Sequence, residues 1–195
     1  MPGVAGMLLT GGSSRRMGFD KASLPLAGST LGEELAARLA AVVAVALEVG
    51  PGRTALPHVL EEPAGSGPLA AIVAGARALR AAGHDGPVLV LACDLPRVPV
   101  AFLRFLATWP GQGSAAPLVG GRVQPLCARW SRTALDEAAA SLAHGERSLR
   151  RFSADARVER LGAPCWGGIA AELDLCDADE PADLRRLGLE LPPGA

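Results

Sequence analysis

Short apolar runs alternate with amphipathic segments through the first half of the chain. Residues 4–10 and 87–92 are almost wholly apolar, which is typical of strands that are buried on both faces of a sheet. Leu31, Leu35 and Leu39 recur at every fourth residue behind a Thr-Leu-Gly-Glu capping box, and they predict a helix of about three turns. The first strand is expected to run directly into a glycine-rich loop.

The same patterns predict elements along the rest of the chain. Strands are expected at 41–49, 115–119, 124–129 and 157–161, and helices at 69–82, 100–108, 131–142, 146–152 and 183–187. Because strands alternate with helices through residue 108, the crossovers should be right-handed and the sheet mostly parallel. We expect a single domain over 1–195, an α/β three-layer Rossmann-like sandwich with two halves, 1–110 and 111–195.

Composition and charge narrow the class of protein. The chain has 195 residues, of which 49% are hydrophobic and 20% charged, and this is typical of a globular domain. The net charge of −1 gives no global field that would attract nucleic acid or an anionic membrane, so we expect neither as a partner. No apolar signal segment precedes the first strand, which predicts a cytoplasmic protein.

The four cysteines, Cys93, Cys127, Cys165 and Cys176, lie far apart and form no C-x-x-C pair. Zinc sites usually draw on closely spaced ligand pairs. We therefore expect four buried free thiols rather than a metal centre.

Residues 9–21 hold the strongest chemical pattern. Gly11 and Gly12 follow the first strand, where paired glycines let backbone N–H groups approach a ligand. Arg15, Arg16 and Lys21 add three cations, as the binding of a triphosphate requires. The loop fits neither Walker A nor G-x-G-x-x-G. The alternative is a glycine turn beside a solvated basic patch.

Asp94 lies at the end of a second predicted strand, directly after the apolar run 87–92 and Cys93. A carboxylate at the tip of a buried strand is costly unless it pairs with a cation or binds a metal. The alternative is that Asp94 caps the turn that follows. In mostly parallel sheets ligands bind at the carboxyl ends of the strands, so Gly11 and Asp94 are expected at one edge.

Residues 11–21 resemble the signature loop Gly-Gly-x-Ser-x-Arg-Met-Gly-x-Asp-Lys of the molybdenum cofactor guanylyltransferases. That family belongs to the Rossmann-like nucleotidyltransferases, and its further motifs follow in order along nearly the whole chain. The resemblance implies catalytic roles for Arg16, Lys21 and Asp94. It implies a GTP site made of Leu9, Thr10, Gly11, Gly12, Ser13, Arg16, Lys21, Glu62, Gly67, Pro68, Leu69 and Asp94.

Two of these motifs are less specific. Gly67-Pro68-Leu69 is similar to the family's Gly-Pro-Leu, although the same residues can simply start a helix. Glu62 stands where the family usually has a nucleotide-binding Asp. Residues 122–126 look like the family's acceptor-side strand near the pterin, and a plain edge strand is the alternative.

The resemblance also implies a magnesium site. In the family the Asp at position 94 coordinates Mg²⁺, which bridges phosphate oxygens. Asp179, in the acidic segment 177–184, would be a second ligand opposite Asp94. The alternative is an acidic helix start that favours the helix dipole. Guanylyltransferases tend to have Asn-x-Asn at 177–179, whereas related cytidylyltransferases more often have Asp-x-Asp, as here.

The implied reaction is attack by the phosphate of molybdopterin, or of molybdenum-molybdopterin, on the α-phosphorus of GTP. The half 1–110 would bind GTP and the half 111–195 the acceptor. The resemblance is also compatible with transient contacts to proteins of cofactor biosynthesis or molybdoenzyme maturation. Open alternatives are a CTP-dependent cytidylyltransferase, whose loop usually reads Ala-Ala-Gly, and a guanylyltransferase for phospholactate or a sugar phosphate. A non-catalytic regulatory module is disfavoured by Lys21, Asp94 and Asp179 together.

Overall fold

A computed structural model describes residues 3–11, 19–26, 28–111 and 113–189. The strands are β1 (Ala5–Leu9), β2 (Pro25–Leu26), β3 (Ser29–Thr30), β4 (Ala46–Val49), β5 (His58–Val59), β6 (Val88–Ala92), β7 (Ser114–Val119), β8 (Arg122–Val123), β9 (Cys127–Trp130) and β10 (Val158–Leu161). The helices are α1 (Leu31–Ala40), α2 (Pro68–Ala81), α3 (Val100–Ala107), α4 (Arg132–Ala143), α5 (Leu149–Asp155), α6 (Ala163–Trp166) and α7 (Pro181–Arg186). Two 3-10 helices span Lys21–Ser23 and Glu172–Leu175.

The main sheet has the strand order β10-β7-β9-β6-β1-β4-β5, with β8 paired to β7. Strands β5, β4, β1 and β6 are mutually parallel, and β9 is antiparallel to both of its neighbours. β1 and β6 lie in the interior of the sheet, and every residue of both is buried. The prediction of a mostly parallel α/β sheet with two central apolar strands is confirmed.

Successive strand residues point to opposite sides of the sheet, so the apolar strands make both faces hydrophobic, and helices cover both. Leu8 of β1 belongs to one hydrophobic cluster, with α1 and α3. Met7, its neighbour, belongs to the other, with α2, α4 and α5. This is the predicted three-layer sandwich. Each cluster joins residues on both sides of residue 110.

Most predicted boundaries agree with the structure, and the differences have local causes. Thr30 caps α1 as predicted, since its Oγ1 accepts a hydrogen bond from the Glu33 amide at 3.3 Å. The strand predicted at 41–49 begins only at Ala46, because the amides of Ala41 and Val42 still bond to the end of α1. β9 begins at Cys127 rather than at 124, since Pro125 cannot donate to a ladder.

The C-terminal segment returns to the sheet after α6. The Arg97 guanidinium donates to the Asp174 carboxylate at 3.2 Å and to the Leu187 carbonyl at 3.0 Å. The Ala178 amide donates to the Asp94 carbonyl at 2.8 Å. These bonds hold the acidic segment beside the end of β6. Within the described ranges, no helix is long and apolar enough to cross a bilayer.

Candidate active site

Three parallel strands end side by side at one edge of the sheet. β1, β4 and β6 end at Leu9, Val49 and Ala92, so the residues that follow them are neighbours. The amides of Thr10 and Gly11 donate to the Val49 carbonyl at 3.1 and 3.3 Å, and the Cys93 amide donates to the Leu9 carbonyl at 3.1 Å. The edge therefore brings the start of the glycine loop next to Asp94, as the sequence predicted.

Asp94 has an unsatisfied carboxylate. Its Oδ1 is buried and has no hydrogen-bond partner among the residues that the structure describes. The pKa of Asp94 is raised to about 6, mainly because the carboxyl is buried; the Lys21 ammonium lowers the pKa, and the charges of Asp179 and Asp177 raise it. A buried carboxylate oxygen that lacks a partner is costly, and a bound cation removes that cost.

Lys21 and Asp179 meet at this edge although they are 158 residues apart in sequence. The Lys21 ammonium lies 2.7 Å from Asp179 Oδ1. The Asp179 amide donates to the Asp183 carboxylate at 3.0 Å, and this fixes the backbone at the start of α7. Of the charged groups, Lys21 and Asp179 also have the two largest effects on the pKa of Asp94. The structure thus brings together Lys21, Asp94 and Asp179.

Two carboxylates, those of Asp94 and Asp179, lie at this edge, and they can be tested against the needs of a metal ion. Among the described residues there is no group of three or more His, Cys, Asp or Glu side chains that could hold a metal ion. Mg²⁺ is commonly held by one or two carboxylates, with waters and substrate phosphates completing its octahedron. The orphaned oxygen of Asp94 and the neighbouring Asp179 fit that requirement.

The Gly-Pro-Leu motif forms the start of α2. Gly67 is the N-cap, with φ of +92° that favours glycine, and Pro68 is the first helical residue. The Leu69 side chain is fully buried in the hydrophobic core. A Cβ at Gly67 would lie 4.0 Å from the Arg147 carbonyl oxygen. The segment before α5 therefore adjoins the start of α2.

The two glutamates before this motif differ in environment. Glu62 is exposed, whereas Glu61 is buried. The Glu61 carboxylate accepts a hydrogen bond from the Gly65 amide at 2.9 Å and so supports the turn that leads to Gly67. The role predicted for Glu62 stays a prediction.

The sequence did not single out Glu48, which is fully buried in β4. Its carboxylate accepts hydrogen bonds from the Thr10 hydroxyl, from the amides of Gly52, Arg53 and Thr54, and from the Thr54 hydroxyl. Burial alone would raise the pKa of Glu48, but these bonds outweigh it and hold the pKa below its ordinary value. A single acidic residue in an otherwise apolar strand was the sequence feature that could have pointed to Glu48.

Gly50 allows the close approach on which these bonds depend. A Cβ at this position would lie 1.9 Å from Thr10 Oγ1 and 2.9 Å from the Gly11 nitrogen. The tight turn after β4 can therefore reach the start of the glycine loop only with glycine here.

The segment 122–126, which the resemblance placed near the acceptor, forms β8 and a turn rather than one continuous strand. Arg122 is exposed, and the Gln124 amide donates to the Pro117 carbonyl at 3.0 Å. The Pro125 carbonyl accepts from the indole N–H of Trp130 at 3.0 Å. β8 pairs antiparallel with β7 and forms a hairpin, and the predicted contact with a pterin stays a prediction.

Some predicted features lie elsewhere. Gly12, Ser13 and Arg16 lie outside the described residues, and so does Arg15.

The prediction of four buried thiols was wrong for Cys165, which is exposed, and Cys176 is half-buried. Cys165 lies on α6, which is only four residues long and leaves that face open.

Comparison with known proteins identifies the family. The model of the MobA-like NTP transferase domain matches residues 6–161. The molybdenum cofactor guanylyltransferase of Cereibacter sphaeroides is 39% identical over 169 residues, 82% of this chain and 85% of the relative. The probable molybdenum cofactor guanylyltransferase of Opitutus terrae is 38% identical over 160 residues, 77% and 78% of the two chains.

A solved structure supports the fold. Molybdopterin-guanine dinucleotide biosynthesis protein A of Archaeoglobus fulgidus superposes with a TM-score of 0.77 at 23% identity, over 94% of this chain and 96% of that chain. The family match includes Lys21 and Asp94, and Asp179 lies beyond it. Nucleotidyltransferases of this kind normally use a divalent metal ion. By the extent of these matches, the chain belongs to the MobA-like NTP transferase family and is a nucleotidyltransferase.

Proposed function

We propose that this protein transfers GMP from GTP to the phosphate of molybdopterin, or of molybdenum-molybdopterin, and releases pyrophosphate. One observation carries the proposal: Lys21, Asp94 and Asp179 converge at the carboxyl edge of the sheet, beside the start of the glycine loop. That is the composition of a nucleotide-phosphate site. The names of the curated relatives support GTP as the donor and the molybdenum cofactor as the acceptor.

The reaction needs no nucleophile from the protein. An oxygen of the acceptor phosphate, which is already ionised, attacks the α-phosphorus of GTP. A phosphoanhydride bond forms, and the bond from the α-phosphorus to the bridging oxygen breaks, so pyrophosphate leaves. The protein contributes alignment of the two substrates and neutralisation of their charge.

Each residue has a distinct part in that task. The Lys21 ammonium would leave Asp179 or share it, and contact the phosphates of GTP. Gly11 and Gly12 would offer backbone to the nucleotide, and Arg16 a further cation. Asp94 and Asp179 would hold Mg²⁺, which when bound neutralises phosphate charge.

The second candidate is transfer of CMP from CTP to the same acceptor. It is favoured by Asp177 and Asp179, which match the Asp-x-Asp that is more frequent in cytidylyltransferases. Gly11 favours guanine, because a bare backbone can pair with the O6 acceptor and the N1–H and N2–H₂ donors of the base. An unpaired polar edge costs about 1–3 kcal/mol, so we expect GTP to be preferred by at least about tenfold.

The deciding experiment compares GTP and CTP at equal Mg²⁺ with molybdopterin as acceptor, following pyrophosphate release and the mass of the dinucleotide product. Equal or better use of CTP would assign the chain to the cytidylyl branch. Absence of turnover with either nucleotide, despite binding, would favour the regulatory module.

Gly11→Ala tests how the base is selected. A Cβ at Gly11 would meet the Gly50 Cα and the Val49 carbonyl at 3.7 Å, an ordinary contact, so the fold should accept the change. We expect the preference for GTP to shrink. An undiminished preference would show that this loop does not select the base. Gly50→Ala is the contrasting variant, since its Cβ would collide with Thr10.

A further inference from the structure

The turn after β4 is joined to the glycine loop by a buried carboxylate. Glu48 accepts five hydrogen bonds, of which one comes from Thr10 and the others from residues 52–54. With five donors around it, this carboxylate is saturated and has no capacity left for a ligand. Glu48 therefore acts on the site through the backbone that it holds.

The same turn reaches the segment that carries Lys21. The Arg53 amide donates to Glu48 at 2.8 Å, which fixes the backbone from which its guanidinium extends. The Arg53 Nε lies 2.6 Å from Asp20 Oδ2. The other oxygen of Asp20 accepts from the Ala22 amide at 3.0 Å and caps the 3-10 helix that begins at Lys21. A continuous path of bonds thus runs from Glu48 to the residue before Lys21.

We propose that Glu48, Arg53 and Asp20 are positioning residues, which hold Lys21 where it meets the nucleotide phosphates. The inference rests on the proposed function, in which Lys21 binds those phosphates. A 3-10 helix of three residues has little stability of its own, so its orientation depends on anchors outside it. Arg53 and Asp20 provide such an anchor from the neighbouring strand end.

Arg53→Ala tests the path without touching the core, because the Arg53 side chain is 46% exposed. Arg80→Ala is the matched control: Arg80 is 45% exposed and also lies 2.6 Å from a carboxylate, that of Asp136, on the α2–α4 surface. We expect Arg53→Ala to weaken binding of a fluorescent GTP analogue with Mg²⁺ by about tenfold and Arg80→Ala to leave it unchanged. Arg53→Lys should restore part of the loss.

Asp20→Asn separates the two functions of that side chain. The amide oxygen can still cap the 3-10 helix, but the charge that holds Arg53 is gone. We expect a loss of nucleotide affinity similar to that of Arg53→Ala, and no further loss when the two changes are combined.

A cycle with Lys21→Ala shows whether the path acts through Lys21. In that background we expect Arg53→Ala to change the affinity by less than about twofold, because the group that it positions is absent. A full tenfold loss in both backgrounds would overturn the proposal, since Arg53 would then act on the fold or on the nucleotide directly. Unchanged affinity in Arg53→Ala would overturn it as well.

The proposed function and this inference fail in different measurements. If the wild-type protein binds CTP, ATP or UTP instead of GTP, the proposed function is wrong, and the same cycle with the bound nucleotide still decides the role of Arg53. If the wild type binds none of the four nucleotides with Mg²⁺, both proposals fail.

Discussion

Two carboxylates near the carboxyl ends of β4 and β6, the strands on either side of β1, have opposite surroundings. Glu48, in β4, is saturated by five hydrogen bonds, and its pKa is lowered. Asp94, just after β6, has a buried oxygen without a partner in the described part of the chain, and its pKa is raised to about 6. Burial disfavours the charged form of both carboxylates, but only for Glu48 do hydrogen bonds within the fold offset that cost.

The difference separates a residue that builds the site from one that works in it. A carboxylate with every lone pair occupied stabilises the folded backbone and has nothing to offer a ligand. A buried carboxylate with an unpaired oxygen lowers the stability of the ligand-free protein, and binding of a cation restores that stability. This contrast supports the two proposed roles, positioning for Glu48 and metal binding for Asp94.

The largest expected effect is on turnover. Asp94→Ala should reduce catalytic efficiency by at least about a hundredfold, because the charge that develops during phosphoryl transfer loses its neutralising site. Binding of GTP should persist through the loop contacts. Steady-state kinetics at saturating Mg²⁺, with nucleotide binding measured alongside, check both parts. Normal turnover would make Asp94 a turn residue only.

Glu48→Gln should instead cost stability. We expect the free energy of unfolding to fall by about 2 kcal/mol at neutral pH, since a charged acceptor of several hydrogen bonds is replaced by an amide that turns a donor toward other donors. Urea unfolding at 25 °C measures the loss. A variant as stable as the wild type would contradict the structural role of this carboxylate.

The pH dependence of that loss has a definite sign. The pKa of folded Glu48 lies below its ordinary value of 4.5, so its contribution to stability is present above that pH. It is lost as the pH falls through the folded pKa. The difference between wild type and Glu48→Gln should therefore shrink as the solution becomes more acid. A difference that is constant with pH would mean that charge is not what matters.

Asp94 also gives a prediction on metal affinity. With a pKa of about 6 it is mostly ionised at neutral pH and mostly protonated at pH 5, and a proton competes with the metal for it. We expect the affinity for Mn²⁺, used as a paramagnetic reporter, to fall about tenfold between pH 7 and pH 5. Asp94→Asn is the control, and the pH dependence should be absent there. The same slope in both proteins would place the titrating group elsewhere.

The sequence predicts the frame of the site better than its fine structure. The short, continuous apolar runs of β1 and β6 indicate buried strands without any periodicity, so both strands and the residues at their ends could be located. The family resemblance alone placed Lys21 and Asp179 in one site, and their ion pair was not predicted, because no local pattern links residues so far apart.

What the sequence left open depends on tertiary contacts. Whether Glu48 is a surface charge or a buried anchor is decided by the turn at 52–54, whose amides converge on it only after folding. Likewise, Glu61 and Glu62 are adjacent in sequence, yet Glu61 is buried and Glu62 is exposed. Periodicity locates boundaries less precisely than that.

The smallest expected effect is a gain in stability on replacing Asp94, the opposite of the loss of stability expected for Glu48→Gln. The pKa of folded Asp94, about 6, lies above its ordinary value of 3.8, so ionisation of this group weakens the folded state as the pH rises between the two values. Asp94→Asn removes that cost. We therefore expect the variant without metal to be more stable than the wild type at pH 7 by about 1 kcal/mol, or roughly 2–4 °C in Tm. The advantage should vanish near pH 4, where Asp94 is protonated in the folded protein and the two side chains are both neutral. Saturating Mg²⁺ should raise the Tm of the wild type and leave that of the variant unchanged. Thermal unfolding at pH 4 and pH 7, each with and without Mg²⁺, tests all of this. If Asp94→Asn is instead less stable than the wild type at pH 7, the Asp94 carboxylate is satisfied within the fold like that of Glu48, and the contrast between the two strand ends is wrong.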